Sequence, residues 1–223
     1  MLSIQKKFLF IHIPKTGGSS LQNILSRYSE DKIVCDAPLQ DGIERFAVKN
    51  TKHPELKKHS SLMAYKSVLD QELFKSLYKF AVIRNPWERM ISFYFSPHRG
   101  KQVWSRENFI QMLNSEVQPV RDFIRIPSGI GLYMNRLRLG GFVPPKPLDY
   151  NIDYLLKIES LDSDFKHLCE IIDIPYETIP VRNQSQRSYY TQYYDEELRA
   201  LVEHRFIDEI RCGNYEFGRL NDV

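Results

Sequence analysis

FLFIHIPKTGGSSLQNIL, residues 8–25, decides how the chain begins to fold. Phe8 to Ile13 is a short aromatic and β-branched run that reads as a buried strand. Past the glycines, Leu21, Ile24, Leu25 and Tyr28 recur at i, i+3, i+4 and i+7, the apolar stripe of an amphipathic helix. Pro-Lys-Thr-Gly-Gly-Ser-Ser lies between them, so the stretch is strand, tight loop, helix. Such a junction leaves backbone N–H groups unpaired at the positive end of a helix macrodipole, where an anion can sit. Gly17 and Gly18 let the backbone curl around an oxyanion, Ser19 and Ser20 add hydroxyls, and Lys15 adds a full positive charge. The alternative is a tight turn with no ligand; the convergence of lysine, threonine, two glycines and two serines favours the anion.

The order of the loop excludes one ligand class. The nucleotide-triphosphatase loop reads GxxxxGK[ST], with the lysine after the glycine and a hydroxyl for magnesium. Here the lysine comes first, and no obvious acidic metal ligand follows a hydrophobic strand. A magnesium nucleotide is poorly supported, and a metal-independent reaction is expected.

A second unit repeats the first. Lys79 to Arg84 (KFAVIR) has strand character, and Pro86 sits where a helix's first turn tolerates it, ahead of Trp87, Met90, Ile91 and Tyr94. Arg84, at a strand end, can present its guanidinium fork to a phosphate, and Ser92, two turns into the helix, offers a hydroxyl from one side. Arg89 reads as a solvated helix residue. Trp87 either packs in the core or flanks a base.

Elsewhere the pattern is coarser. Asp36 to Ser61, rich in lysine and histidine, reads as loop and short irregular elements. A helix is expected around Glu107 to Ser115, followed by a Gly- and Pro-rich segment over residues 126–150. Tyr154 to Ile158 suits a third strand, and Ser160 suits the N-cap of a helix carrying Leu161, Phe165, Leu168, Ile171 and Ile172. A last helix runs from about Asp195 to Arg211 and stops near Gly213. Strands alternating with helices argue for an α/β domain with a mostly parallel central sheet flanked by helices.

The totals bound the function. With 223 residues, one domain spanning 1–223 is expected, with 96–150 as an insertion of loop and helix. A formal net charge of +3 is too slight to imply nucleic acid, yet it suits an anionic ligand. Cys35, Cys169 and Cys212 form no CxxC pair and no zinc set with the histidines, which points to idle thiols in a reducing compartment. No membrane span and no secretory leader is read from the sequence, so a cytoplasmic enzyme is the expectation.

HIPKTGGSS after a strand resembles the 5′-phosphosulfate loop of sulfotransferases that use 3′-phosphoadenosine 5′-phosphosulfate (PAPS), especially the Golgi carbohydrate sulfotransferases and their bacterial relatives. VIRNPWERMISFYF resembles the 3′-phosphate motif RxPxxRxxSxY of that family, in the same order and at the same separation. Two weaker likenesses, KIESLDSDFKHLCEIIDIP and VRNQSQRSYYTQYYDEELRALVEHRFIDEIRCGNYEF, extend it over most of the chain.

The resemblance implies a P-loop-like three-layer fold and a set of roles. Lys15 would attend the bridging oxygen of the donor. The N–H groups of Thr16, Gly17, Gly18 and Ser19, with the hydroxyls of Ser19 and Ser20, would hold the 5′-phosphate. Arg84 and Ser92 would hold the 3′-phosphate, and Ser185 and Arg187 would close over it. His59 matches the place of the base histidine in some carbohydrate sulfotransferases; it is otherwise a solvated loop histidine, with Glu44, Glu55 and His53 as rivals. His12, inside the first strand, reads as packing or loop support. Arg45, Lys49, Lys52, Lys57 and Lys58 are either a wet basic face or a groove for an anionic glycan. Residues 96–150 would shape the site of a carbohydrate or other hydroxyl-bearing acceptor.

Two other readings stay open: a P-loop-type kinase, or a module that binds the desulfated product 3′-phosphoadenosine 5′-phosphate (PAP) or a glycan without turnover. An excised lumenal domain of a Golgi enzyme is the alternative to a cytoplasmic protein. The sequence names neither the acceptor nor the oligomeric state.

Overall fold

Phe8, Phe10, Phe80 and Val82 pack on one side of a central sheet, while Leu9, Ile11, Ala81 and Ile83, their neighbours in sequence, pack on the other. A strand buried on both faces must be apolar at every position, which is why FLFI and FAVI show no polar alternation. The computed structural model describes residues 1–40, 43–96, 99–100, 102–126, 151–179 and 188–219, and for 35–40 and 43–46 the backbone alone. The sheet holds β1 (Leu2–Ser3), β2 (Phe8–Ile11), β5 (Tyr78–Ile83) and β6 (Tyr154–Lys157) in the order β1-β2-β5-β6. β2, β5 and β6 run parallel, with Leu9 opposite Lys79 and Phe80 opposite Tyr154; β1 is antiparallel at the edge.

Helices cover both faces. On the phenylalanine side lie α1 (Gly18–Leu25), through Leu21, Ile24 and Leu25, and α7 (Leu161–Ile171), through Phe165 and Leu168. The other face is covered by α2 (Leu62–Val68), α3 (Gln71–Ser76), α4 (Pro86–Tyr94), α5 (Arg106–Ser115), α6 (Val120–Ile124) and α8 (Glu196–Arg205). The chain then enters α9 (Ile207–Gly213). This is the expected α/β architecture, a mostly parallel sheet between helical layers.

Three expectations are corrected. Residues 31–50 form a hairpin, β3 (Asp31–Gln40) with β4 (Ile43–Asn50), where loop was expected over most of that span. Its charge masks it. Among the described side chains, the outward pair sets Lys32 against Lys49, while Ile33 opposite Val48 packs on the core and Asp31 and Asn50 are buried on the same face. The expected helix from Asp195 to Arg211 is two, broken at the buried Phe206 with φ −116° and ψ 27°. Leu198, Val202 and Phe206 stay in one core cluster, so the apolar stripe does not register the break. Ser160 does stand at the N-cap of α7, but its hydroxyl donates to Asp164 Oδ2 at 2.9 Å and caps nothing.

Parallel strands bring their C-terminal ends to one edge. The turns after β2, β5 and β6 therefore meet, with Asn85 N donating to Glu159 Oε1 at 2.8 Å. Residues 126–150 of the Gly- and Pro-rich segment lie almost wholly outside the described residues, as do Ser185 and Arg187.

Candidate functional site

The loop after β2 is held by its carbonyls. Thr16 Oγ1 donates to the carbonyl of Ile13 at 2.9 Å, Arg89 Nε to that of Pro14 at 3.1 Å, and Arg84 Nη1 to that of Lys15 at 3.3 Å. Every peptide here is trans, and in a planar trans peptide the C=O and N–H point opposite ways. Fixing the carbonyls of Pro14 and Lys15 therefore aims the N–H groups of Lys15 and Thr16 away from Arg89 and Arg84. Lys15 has φ +69° and Gly17 +81°, while Thr16 between them keeps a negative φ. Alternation of that kind curls successive N–H groups into a concave anion-binding nest. No side chain caps α1, so the N–H groups of Gly18 and Ser19 extend the same concavity, while that of Ser20 donates to Gly17 O at 3.2 Å.

The two glycines are required by different neighbours. A Cβ on Gly17 would sit in the left-handed region and 2.8 Å from Ile158 Cδ1. One on Gly18 would stand 2.5 Å from His12 Cδ2 and 3.0 Å from Phe10 Cζ, both in the core. Thr16 is fully buried, so its contribution toward the concavity is its N–H. Ser19 is half-buried and Ser20 buried. Lys15 is half-buried, with Nζ 3.4 Å from the hydroxyl of Ser96, just past α4.

The second strand–loop–helix unit meets the first through Arg84. Besides its bond to the Lys15 carbonyl, its guanidinium engages Glu88 one turn on, Nη2 at 2.7 Å and Nε at 3.3 Å. Ser92 is half-buried on α4. The helix starts cleanly because Asn85 accepts from Trp87 N and Glu88 N, and Pro86 occupies its first turn.

Arg89 overturns the solvated reading. It is 1% exposed and donates to Pro14 O, to Gln118 O at 3.0 Å and to Glu209 Oε2 at 3.0 Å. Glu209 is equally buried. Burial pushes its carboxyl above the ordinary range, opposed by Arg89 and by the N–H of Val120. Trp87 resolves toward the core: it is buried, edge-on to Phe217, and its indole N–H donates to Arg199 O.

His12 and His59 flank the nest. His12 is buried against Phe10 and the Gly18 backbone, consistent with the packing role read from the sequence. Burial, then the charges of His59 and Lys58, hold its pKa well below the usual histidine value, so it is neutral. Gln22 lies close enough to favour the charged form of His12. The pair does not meet hydrogen-bond geometry, however: His12 Nδ1 and both amide atoms of Gln22 are buried without a partner among the described residues. His59 is exposed, its ring 4.6 Å from that of His12 and its Nδ1 2.9 Å from the His12 carbonyl. A carbonyl only accepts, so Nδ1 carries the proton and neutral His59 keeps its lone pair on Nε2.

The rivals are placed differently. His53 lies 3.8 Å from Glu55 and its N–H bonds Asn50, while the Glu44 and Arg45 side chains fall outside the described set. Lys49, Lys52 and Lys57 are exposed and Lys58 is half-buried. Cys169 and Cys212 are free thiols. Among the described residues, no cluster of three or more His, Cys, Asp or Glu could hold a metal ion, and no helix is long and apolar enough to cross a membrane.

Sequence reasoning missed Glu88, Ser96, Glu159 and Glu209. Glu88 lies four residues after Arg84, a spacing that lets the two pair across the helix start; nothing local marks the other three. Glu159 joins units, accepting from Asn85 N and, at 3.1 Å, from the Tyr215 hydroxyl; burial raises its pKa.

No curated protein is significantly similar to the chain in sequence. Among solved structures, a sulfotransferase from Alicyclobacillus acidocaldarius is 15% identical, covers 95% of this chain and 96% of its own, and superposes with a TM-score of 0.42. The model of the sulfotransferase family matches residues 1–121, the span holding the nest, His59, Arg84 and Arg89. That span is more than half of the 223 residues, and the chain belongs to the sulfotransferase family.

Proposed function

We propose that this sulfotransferase takes its sulfuryl group from PAPS and transfers it to a hydroxyl of a carbohydrate or glycolipid-like acceptor. One observation carries the donor assignment. Arg84 Nη1 stands on the carbonyl of Lys15, so two anion-binding motifs 69 residues apart share one edge of the sheet. A donor with a phosphate at each end, 5′ and 3′, suits that pairing.

The roles follow from the chemistry of transfer, a loose in-line displacement in which charge builds on the leaving oxygen and stabilisation of that charge does most of the work. Lys15 neutralises the departing 5′-phosphate, the N–H groups of Lys15 to Ser19 with the hydroxyls of Ser19 and Ser20 hold it, and Arg84 with Ser92 takes the 3′-phosphate. Ser185 and Arg187 remain proposed contacts to the same group. His59 accepts the acceptor's proton at Nε2, a role supported by the tautomer that the His12 carbonyl selects. Residues 96–150 shape the acceptor side, and the lysines from Lys49 to Lys58 suit an anionic glycan.

Thermal shift tests the donor. PAP at saturation should raise Tm more than ATP with magnesium does, and Lys15→Ala and Arg84→Ala should each reduce the PAP shift. With PAPS and an acceptor, Lys15→Ala should lower turnover by about 10²–10³. Absence of any PAP shift in the unsubstituted protein sinks the proposal.

A further inference from the structure

Arg89 is the largest fully buried side chain of the described protein, and its environment is more demanding than that of a structural ion pair. Its Nε donates to Pro14 O at 3.1 Å, Nη1 to Glu209 Oε2 at 3.0 Å and Oε1 at 3.3 Å, and Nη2 to Gln118 O at 3.0 Å. Glu209 in turn accepts from the N–H of Val120 at 2.6 Å, capping α6 from α9. Arg121 to Asp208, at 2.8 Å, ties the same two helices again. One guanidinium thus joins the anion-binding loop, the chain entering α6 and the last helix.

We propose that Arg89 is a positioning residue of the donor loop, with Glu209 as the anchor that fixes its guanidinium. This role rests on the donor reading above and on peptide geometry. By holding the Pro14 carbonyl, Arg89 sets the plane of the peptide whose other end is Lys15 N–H, and so aims that donor into the nest. It also restrains the backbone one bond before Lys15, a residue kept at positive φ, where non-glycine residues are strained. Arg84 sets the next peptide from the Lys15 carbonyl. Two arginines from one RNPWER segment therefore orient consecutive N–H groups of a loop that lies 69 and 75 residues before them. The guanidinium spreads these donors over three separate nitrogens in one plane, whereas an ammonium's three donors leave a single atom and do not span the same acceptors.

A merely structural pair can be replaced by neutral residues of similar size without loss of fold. A positioning residue replaced in the same way leaves the fold and loses the loop. Two variants separate these cases. Arg89→Lys keeps a charge beside Glu209. Arg89→Met with Glu209→Gln removes both charges and retains an acceptor for Val120 N–H. On each, Tm, PAP affinity by calorimetry and amide exchange across residues 13–20 are measured.

The expected result is a cooperative melt for both variants, PAP binding weakened about tenfold or more, and faster exchange at the loop amides but not in α4 or α9. Folded variants with unchanged PAP affinity and unchanged loop exchange overturn the proposal. Should the unsubstituted protein fail to bind PAP, the donor reading falls, and loop exchange alone decides the positioning role: faster exchange in the variants supports it and unchanged exchange overturns it.

Discussion

Glu88 occupies the guanidinium that the donor's 3′-phosphate is proposed to use. The pair is bidentate, with Arg84 15% and Glu88 32% exposed, so a phosphate arriving at Arg84 competes with a carboxylate already in place. Glu88→Gln weakens that competitor while keeping its size. The variant should bind PAP about threefold to tenfold more tightly by calorimetry, as expected for relieving one partly exposed charge pair. Weaker PAP binding in that variant would mean that Glu88 orients Arg84 instead of occupying it. At this scale the sequence shows chemistry better than environment. Lys15, Arg84 and the glycines stand out in the sequence because the proposed anion site needs those residue types in that order. The burial of Arg89 does not, since its acceptors on Pro14, Gln118 and Glu209 lie 75, 29 and 120 residues away.

The two strand–loop–helix units are the legible elements, because strands buried on both faces write uninterrupted apolar runs and the following helices write stripes at helical spacing. The β3–β4 hairpin was not legible, since polar Asp31 and Asn50 stand on its buried face and apolar Val34 and Ala47 on the other, which breaks the alternation that marks a half-covered strand. The split between α8 and α9 is likewise invisible to a stripe that stays in one core. Asn85 shows how much one junction carries. Its carboxamide oxygen caps α4 through Trp87 N and Glu88 N, its Nδ2 donates to Glu216 O at 3.2 Å, and its backbone N–H meets Glu159. Asn85→Ala leaves the backbone contact but removes both the cap and the bond to Glu216 O, so urea unfolding should show a loss of about 1–2 kcal/mol with an unchanged m-value. A change below a few tenths of a kcal/mol would place the start of α4 under tertiary control instead.

The whole molecule is organised by strand direction. Because β2, β5 and β6 are parallel, the turns that follow them meet at one edge, and ligands of open α/β sheets bind beyond that edge. Arg84 touches Lys15 and Asn85 touches Glu159 for this reason, and not because of any local preference in either motif. That convergence also explains why the fold class could be read from the chain and why the proposed donor motifs, unlike the acceptor site, carry short signatures. In the proposed function the donor is gripped by backbone and charge at sheet-edge turns, whereas an acceptor would be gripped by surfaces that carry no short signature. The two motifs are proposed to form two phosphate sites for one donor. Calorimetric titration of PAP and of adenosine 5′-monophosphate, which lacks the 3′-phosphate, against the unsubstituted protein and Arg84→Ala tests it directly. The account predicts that PAP binds the unsubstituted protein at least about tenfold more tightly than the monophosphate, and that Arg84→Ala removes the preference. Equal affinity for both nucleotides, or a preference that survives the loss of Arg84, would contradict it.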